Sequence, residues 1–174
     1  MLTPNDIEKY FMAEKQAGLV FMIVGIVAII MGLVFILIFK TPFYKGAAIP
    51  LLVIGLIQGI AGNTIFRRSD EDRIKNVYAY NMNPSLLRAK ELPRMIKVNR
   101  NFKMLKAVEI LFIVSGLFLL FYFRTKPDFL FWKGIGLTLL IQAVIVLGAD
   151  IIASERALHY TEKLIVFVRN STTA

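Results

Sequence analysis

The stretch Ala17–Phe39, AGLVFMIVGIVAIIMGLVFILIF, runs for 23 residues without a charged side chain. A membrane-spanning helix needs about 20 mostly apolar residues, so this segment is long enough to cross a bilayer. Three further stretches obey the same rule. Residues 46–66 are uncharged and interrupted only by Pro50, Gln58 and Asn63. Residues 107–123 carry Glu109 near their start, and residues 129–153 carry Lys133 near one end and Asp150 near the other. The four predict an all-α integral membrane protein, a four-transmembrane-helix bundle made of two hairpins. Residues 1–174 form a single membrane domain with helical extensions: a leader (1–16), a long middle loop (67–106) and a tail (154–174).

The first stretch does not read as a cleaved signal peptide. A signal has a basic leader and an apolar core of about 7–15 residues, whereas Asp6, Glu8 and Glu14 here offset Lys9 and Lys15. Composition agrees with a membrane protein. The chain is 57% hydrophobic, above the roughly 45–50% usual for soluble domains, and its mean hydropathy is +0.64. Its 21 basic and 12 acidic residues are segregated from the apolar stretches, where a soluble domain would mix the two.

Orientation follows from the basic residues. The leader, middle loop and tail hold 16 of the Lys and Arg residues, and the two short turns with their edges hold 5: Lys40, Lys45, Arg124, Lys126 and Lys133. Cytoplasmic loops carry the excess of positive charge, so both termini and the middle loop are expected in the cytoplasm, in an inner (cell) membrane. Phe39, Phe43 and Tyr44 flank the first turn, and Phe123, Phe129 and Trp132 flank the second. Aromatic rings at these points mark the outer headgroup level. The turn cations read as snorkelling anchors or as an anion-attracting outer face.

The halves resemble each other. Met31-Gly32-Leu33 leads to Phe39-Lys40-Thr41-Pro42, and Ser115-Gly116-Leu117 leads to Phe123-Arg124-Thr125 with Pro127 just after. Tyr44-Lys45-Gly46 then matches Trp132-Lys133-Gly134, after a turn four residues longer. This pattern suggests a parallel repeat of one hairpin, unlike the inverted repeats of many transporters.

The charged segments read as helices. Thr3, Pro4 and Asp6 form a capping-box-like start, giving a leader helix that lies on the membrane or runs into the first span. Asn83-Pro84 ends the helix that leaves the second span. Residues 86–92 make a short helix that Pro93 breaks. Beyond it, Arg94, Lys97, Arg100, Lys103 and Lys106 recur at about helical spacing as a cytoplasmic basic face. Contact with anionic headgroups is its plain reading, and docking of an acidic partner its sharper one. Nucleic acid is not favoured, because stacking aromatics in a recognised motif are missing. In the tail, Leu158, Thr161, Ile165 and Val168 make one stripe, with a strand at 164–168 as the alternative.

Packing surfaces are legible too. Gly18, Gly25 and Gly32 recur every seven residues, and Gly55 and Gly59 form a small-xxx-small pair. Such residues let membrane helices approach closely and would close the bundle or build a homo-oligomer. On the fourth span, Gly134, Thr138, Gln142 and Ala149 form a small and polar stripe. Polar groups inside a bilayer are costly and can mark function. Gln58, Asn63, Glu109, Gln142 and Asp150 are the candidate intramembrane polar site. The plain reading of Glu109 and Asp150 is pairing with Arg67, Arg68, Lys103 or Lys106 at the inner edge. The alternative is a cation or proton site.

The chain has no cysteine and one histidine, His159. That excludes disulfides, thiolate or multi-His metal sites and cysteine nucleophiles. Ser115 has no nearby base, and His159 beside Glu155, Glu162 and Lys163 reads as a solvated face. No cofactor, metal or catalytic residue is assigned. The enzymatic alternative is acyl or phosphoryl transfer at the inner interface by Asp150 and basic residues. The expected function is non-catalytic binding of another protein in or beside the membrane, as an accessory subunit or a toxin-immunity protein. The architecture is similar to that of four-span immunity proteins against pore-forming bacteriocins, in span number and without a shared motif. The other function expected is a small oligomeric ion channel or transporter. Membrane lipids and a protein partner or second copy are the expected partners. The cysteine-free background makes topology testable. In intact cells an impermeant thiol reagent should label Asp128→Cys and spare Ser85→Cys; labelling of Ser85→Cys alone would reverse the orientation.

Overall fold

A computed structural model of the chain describes residues 2–170 as four long helices, with no strand among the described residues. Helix α1 covers Pro4–Val34 and continues through a wider π-type turn at Phe35–Phe39. Helix α2 covers Pro42–Met82. A second π-type turn, Leu87–Glu91, leads into α3, Leu92–Tyr122. After a short 3-10 turn at Pro127–Phe129, α4 covers Leu130–Asn170. All four helices are long and apolar enough to cross a membrane. The end of the expected tail, 171–174, lies outside the described residues.

Every helix outruns a bilayer. The 41 residues of α2 rise about 60 Å at 1.5 Å per residue, against a hydrocarbon layer of about 30 Å. The bundle therefore has an apolar half, which carries the two hairpin turns, and a polar half, which carries both ends of the described residues. The leader runs straight into the first span. Thr3 caps it, with the Asp6 amide donating to Thr3 Oγ1 at 3.2 Å and the Thr3 amide donating to the Asp6 carboxylate at 2.9 Å. At the first turn the backbone leaves its helical path for two residues: Lys40, in the left-handed region at φ 54°, and Thr41.

Two sequence expectations fail locally. Pro93 does not break the chain's helix. The turn before it widens, and the Leu92 amide reaches back to the Leu87 carbonyl. Pro93 then falls in the first turn of α3, where a missing N–H costs nothing. Residues 164–168 are helical, not a strand. The buried stripe of the tail is Ala157, Thr161, Leu164 and Val168, whereas Leu158 and Ile165 are exposed. The winning face is the one that carries Tyr160, whose ring stacks on Tyr10 at 4.3 Å.

Helix α1 packs along α2, α3 packs along α4, and α2 joins the hairpins by packing against α4. In the apolar half these contacts are backbone contacts. A Cβ on Gly18 would lie 2.9 Å from the Phe66 nitrogen, and one on Gly25 would lie 2.6 Å from the Gly55 oxygen. Gly32 meets Ala48 and Leu52 of α2, and Gly116 meets Gly136 and Leu140 of α4. These are equivalent positions. Ala48 and Leu52 precede Gly136 and Leu140 by 88 residues, and Gly32 precedes Gly116 by 84, the difference being the longer second turn. The contact between hairpins is reciprocal. A Cβ on Gly46 would lie 2.0 Å from the Phe131 oxygen, and a Cβ on Gly134 would lie 2.0 Å from the Phe43 oxygen. Gly59 takes part in the α1–α2 contact through its backbone, since a Cβ on Gly25 would lie 2.6 Å from the Gly59 nitrogen, although a Cβ on Gly59 itself meets nothing within 4 Å.

Packing changes character along the bundle. In the apolar half large side chains such as Ile30, Leu37, Ile57 and Phe118 point outward. The main cluster of buried apolar side chains lies in the polar half: Leu2, Ile7, Phe11, Ala79, Leu87, Met95, Ala157, Tyr160, Leu164 and Val168; those buried in the apolar half are mostly small, as at Ala47, Ala48 and Ala143. Gly46→Ala and Gly134→Ala should each destabilise the purified protein by about 1–3 kcal/mol, the usual cost of overpacking, whereas Gly59→Ala should be neutral or stabilising. Thermal unfolding in detergent or nanodiscs reads this directly. Equal melting of all three variants would refute the packing described.

Candidate functional site

The polar half is held by ion pairs between helices. Arg68 of α2 donates to Glu14 of α1 at 3.0 Å, and Lys15 pairs with Asp70. Lys163 of α4 donates to Asp6 of α1 at 2.7 Å. The Lys163 ammonium and the Thr3 hydroxyl hold the Asp6 carboxyl well below its usual range, at about 2.

At the centre sits a charge cluster built by all four helices. Arg94 forks onto Glu91 through two hydrogen bonds, at 2.7 and 2.8 Å. The Glu91 side chain is 4% exposed. The Arg94 guanidinium lies 5.2 Å from the Phe11 ring centre, a cation–π distance, and 4.0 Å from Asp72. Burial alone would lower the Arg94 pKa, but the Glu91 fork outweighs it and keeps the guanidinium charged. Burial pushes both tyrosine hydroxyls nearby, Tyr10 and Tyr160, far up, and the charges of Glu14 and Glu91 push them further.

Arg94 therefore does not belong to an exposed basic face. Lys97, Arg100 and Lys103 are exposed, whereas Arg94 turns inward and Lys106 donates to Ser154 of α4 at 3.1 Å. The reason is geometric. A helix turns about 100° per residue, so a strict three-residue spacing precesses about 60° at each step and spirals off any single face. The surface left on α3 combines Lys97, Arg100 and Lys103 with the exposed Ile96 and Met104.

The five polar residues of the apolar half fall in different places. The Glu109 and Asp150 carboxyls lie within hydrogen-bonding reach of each other, with Lys106 nearby. The other expected cations lie elsewhere: Arg68 goes to Glu14, and Arg67 and Lys103 are exposed. Asn63 is half-buried on α2. Gln142 is buried, and its amide oxygen has no hydrogen-bond partner. It stands eight residues before Asp150 on α4, about 12 Å along the axis. On the same helix Gly134 is buried, but Ala149 is exposed.

Gln58 occupies a third place. It is 3% exposed and its amide oxygen also lacks a partner. It lines a cleft of about 360 Å³ between α1 and α4, with Val20, Val24, Ile145, Ala149 and Ile152. Arg156 and Ala13 rim this cleft and also border a second groove of about 350 Å³ in the polar half. Lys9, His159 and Lys163 line that second groove. The cleft depends on helix packing that no local sequence pattern encodes. The one available signal was Gln58 itself, a polar residue in an otherwise apolar span.

Compared with protein-family models, curated proteins and solved structures, the chain gives no match in any of the three.

The Glu91–Arg94 pair is buried, so breaking it should cost more than replacing it. Arg94→Met strands a buried carboxylate and should destabilise by about 3–5 kcal/mol, whereas Arg94→Met with Glu91→Leu should recover most of that loss. Thermal melts of the singles and the double test this. Additive losses would show that the two groups do not act as a pair.

Proposed function

We propose that this chain is a multi-pass inner-membrane protein, with both termini and the middle loop in the cytoplasm, that acts by binding another protein in or beside the membrane. An accessory subunit and a toxin-immunity protein both fit this description. The reading includes duplication of one hairpin, which is supported by the equivalent glycine contacts of the two halves and by the reciprocal Gly46 and Gly134 contact.

The observation that carries the proposal is the division of labour among charges in the polar half. Acids and bases between the helices tie α1 to α2, α1 to α4 and α2 to α3. One of the surfaces left outward is a mixed basic and apolar strip on α3: Ile96, Lys97, Arg100, Lys103 and Met104. At about 100° per residue these five share an arc of about 120°. A rigid platform with a basic, partly apolar flank suits an acidic protein surface, with charge steering the encounter and apolar contact holding it. Anionic headgroups are the second ligand for the same cations.

A small channel or transporter is the second reading, and the nearness of the Glu109 and Asp150 carboxyls favours it. Neighbouring carboxyls repel unless a proton or cation is shared between them. Gln58 and Gln142 stand apart from that pair, so the geometry supports binding better than conduction.

Purification of the tagged chain from native membranes in mild detergent, with mass spectrometry of what co-elutes, tests the proposal. A foreign protein in fixed stoichiometry is expected. Its recovery should fall about tenfold in the triple variant Lys97→Glu, Arg100→Glu and Lys103→Glu, the effect of roughly half a kcal/mol per exposed contact. Self-association alone, unchanged by charge reversal, would contradict it and make ion flux through Asp150→Asn liposomes the next comparison.

A further inference from the structure

We infer that the cleft between α1 and α4 receives one membrane-spanning helix of the partner protein. That helix carries a hydroxyl or amide donor at the depth of Gln58 and acidic residues where it enters the cytoplasm. The inference rests on the protein-binding reading above and names the partner's chemistry.

Three observations converge. First, Gln58 is almost fully buried and lines the cleft, and its amide oxygen, itself closed off from solvent, has no partner among the described residues. A bare acceptor in hydrocarbon costs free energy that a donor from a neighbouring helix recovers. A lipid acyl chain offers no such donor. Second, the depth is right for a spanning helix. A Cβ on Gly25 would sit 3.0 Å from the Gln58 Cβ, so the two are level. Gly25 follows Ala13, which marks the rim beside Arg156, by twelve residues. That distance is about 18 Å along α1, and a single leaflet of hydrocarbon is about 15 Å thick. Gln58 thus lies near the midplane when the rim lies at the headgroups.

Third, the two ends differ in charge. Above the rim the cleft is apolar, with small residues Ala17 and Ala149 on its walls. Below it, Lys9 and Arg156 line the continuing groove beside His159, and the one acid there, Asp6, is paired with Lys163. Small walls admit a helix backbone closely, and the basic groove complements acidic residues that follow the partner's span.

Photocrosslinking in native membranes tests this, with benzoylphenylalanine placed in the full chain at Val20 or Ile152 in the cleft, at Arg100 on the α3 surface, and at Val114 as an outward control. The expected result is a discrete protein adduct from Val20 and Ile152 and none from Val114. The crosslinked peptide should lie in a membrane span with a polar residue at midplane depth and an acidic inner flank. Gln58→Leu should cut its yield about threefold to thirtyfold, the range for an interhelical hydrogen bond in a bilayer. Lys9→Glu with His159→Glu, both at exposed positions, should cut it independently, with melting temperature unchanged. Lipid adducts alone from the cleft, an adduct to a second copy of this chain, or a yield indifferent to these variants would overturn the inference. If the partner crosslinks from Arg100 but not from the cleft, the binding reading stands and the cleft assignment falls. If no position yields a foreign protein, both fall.

Discussion

The arrangement of the four helices depends on backbone meeting backbone where α2 crosses α4. Gly46 and Gly134 each present a bare Cα to a carbonyl of the other hairpin, with no room for even a methyl group. Hydrocarbon gives apolar side chains no reason to leave it, so helix association there depends on close packing and short-range polar contact. A glycine Cα–H against a carbonyl supplies both. The contact is also reciprocal, as contacts across a two-fold axis are. One crossing thereby sets how far apart the hairpins stand and how they are rotated. The α1–α4 cleft is a consequence, because α2 and α4 touch closely while α1 meets α4 over little of its length.

The same helices obey a different rule in the polar half. There the usual hydrophobic core returns, with Ile7, Phe11, Leu87, Met95 and Leu164 removed from solvent. Apolar burial is favourable where water is the alternative. Ion pairs then fix the register among helices. The Glu91–Arg94 fork draws on α1 through Phe11, on α2 through Asp72 and on α4 through Tyr160, whose hydroxyl the Glu91 charge reaches. A continuous helix such as α2 therefore carries glycine packing at one end and salt bridges at the other.

The four apolar helices were readable because about twenty uncharged residues leave little choice. The α1 start was readable from Thr3, Pro4 and Asp6, because capping is local chemistry. The glycine spacing on α1 was readable because a period of seven keeps residues on one face. What escaped the sequence was tertiary. Gly46 read as a turn neighbour and Gly134 as one member of a small and polar stripe, but their pairing across the hairpins, the tightest contact, was not legible. Arg94 read as one of a row of surface cations, although Glu91 three residues earlier offered the signal of a buried fork. Pro93 read as a break because proline removes a donor, and the widened turn before it removed the need for one. Gln58 was visible as a polar intruder, but the cleft it faces exists only once three helices are assembled.

The central claim is the paired contact of Gly46 with Phe131 and of Gly134 with Phe43 inside a bilayer. Solid-state nuclear magnetic resonance on the chain in lipid, with glycine labelled at Cα and phenylalanine at the carbonyl carbon, measures it without altering a residue. The account predicts through-space cross-peaks joining Gly46 Cα to the Phe131 carbonyl carbon and Gly134 Cα to the Phe43 carbonyl carbon. Absence of both, in a sample whose intrahelical peaks are resolved, would contradict it.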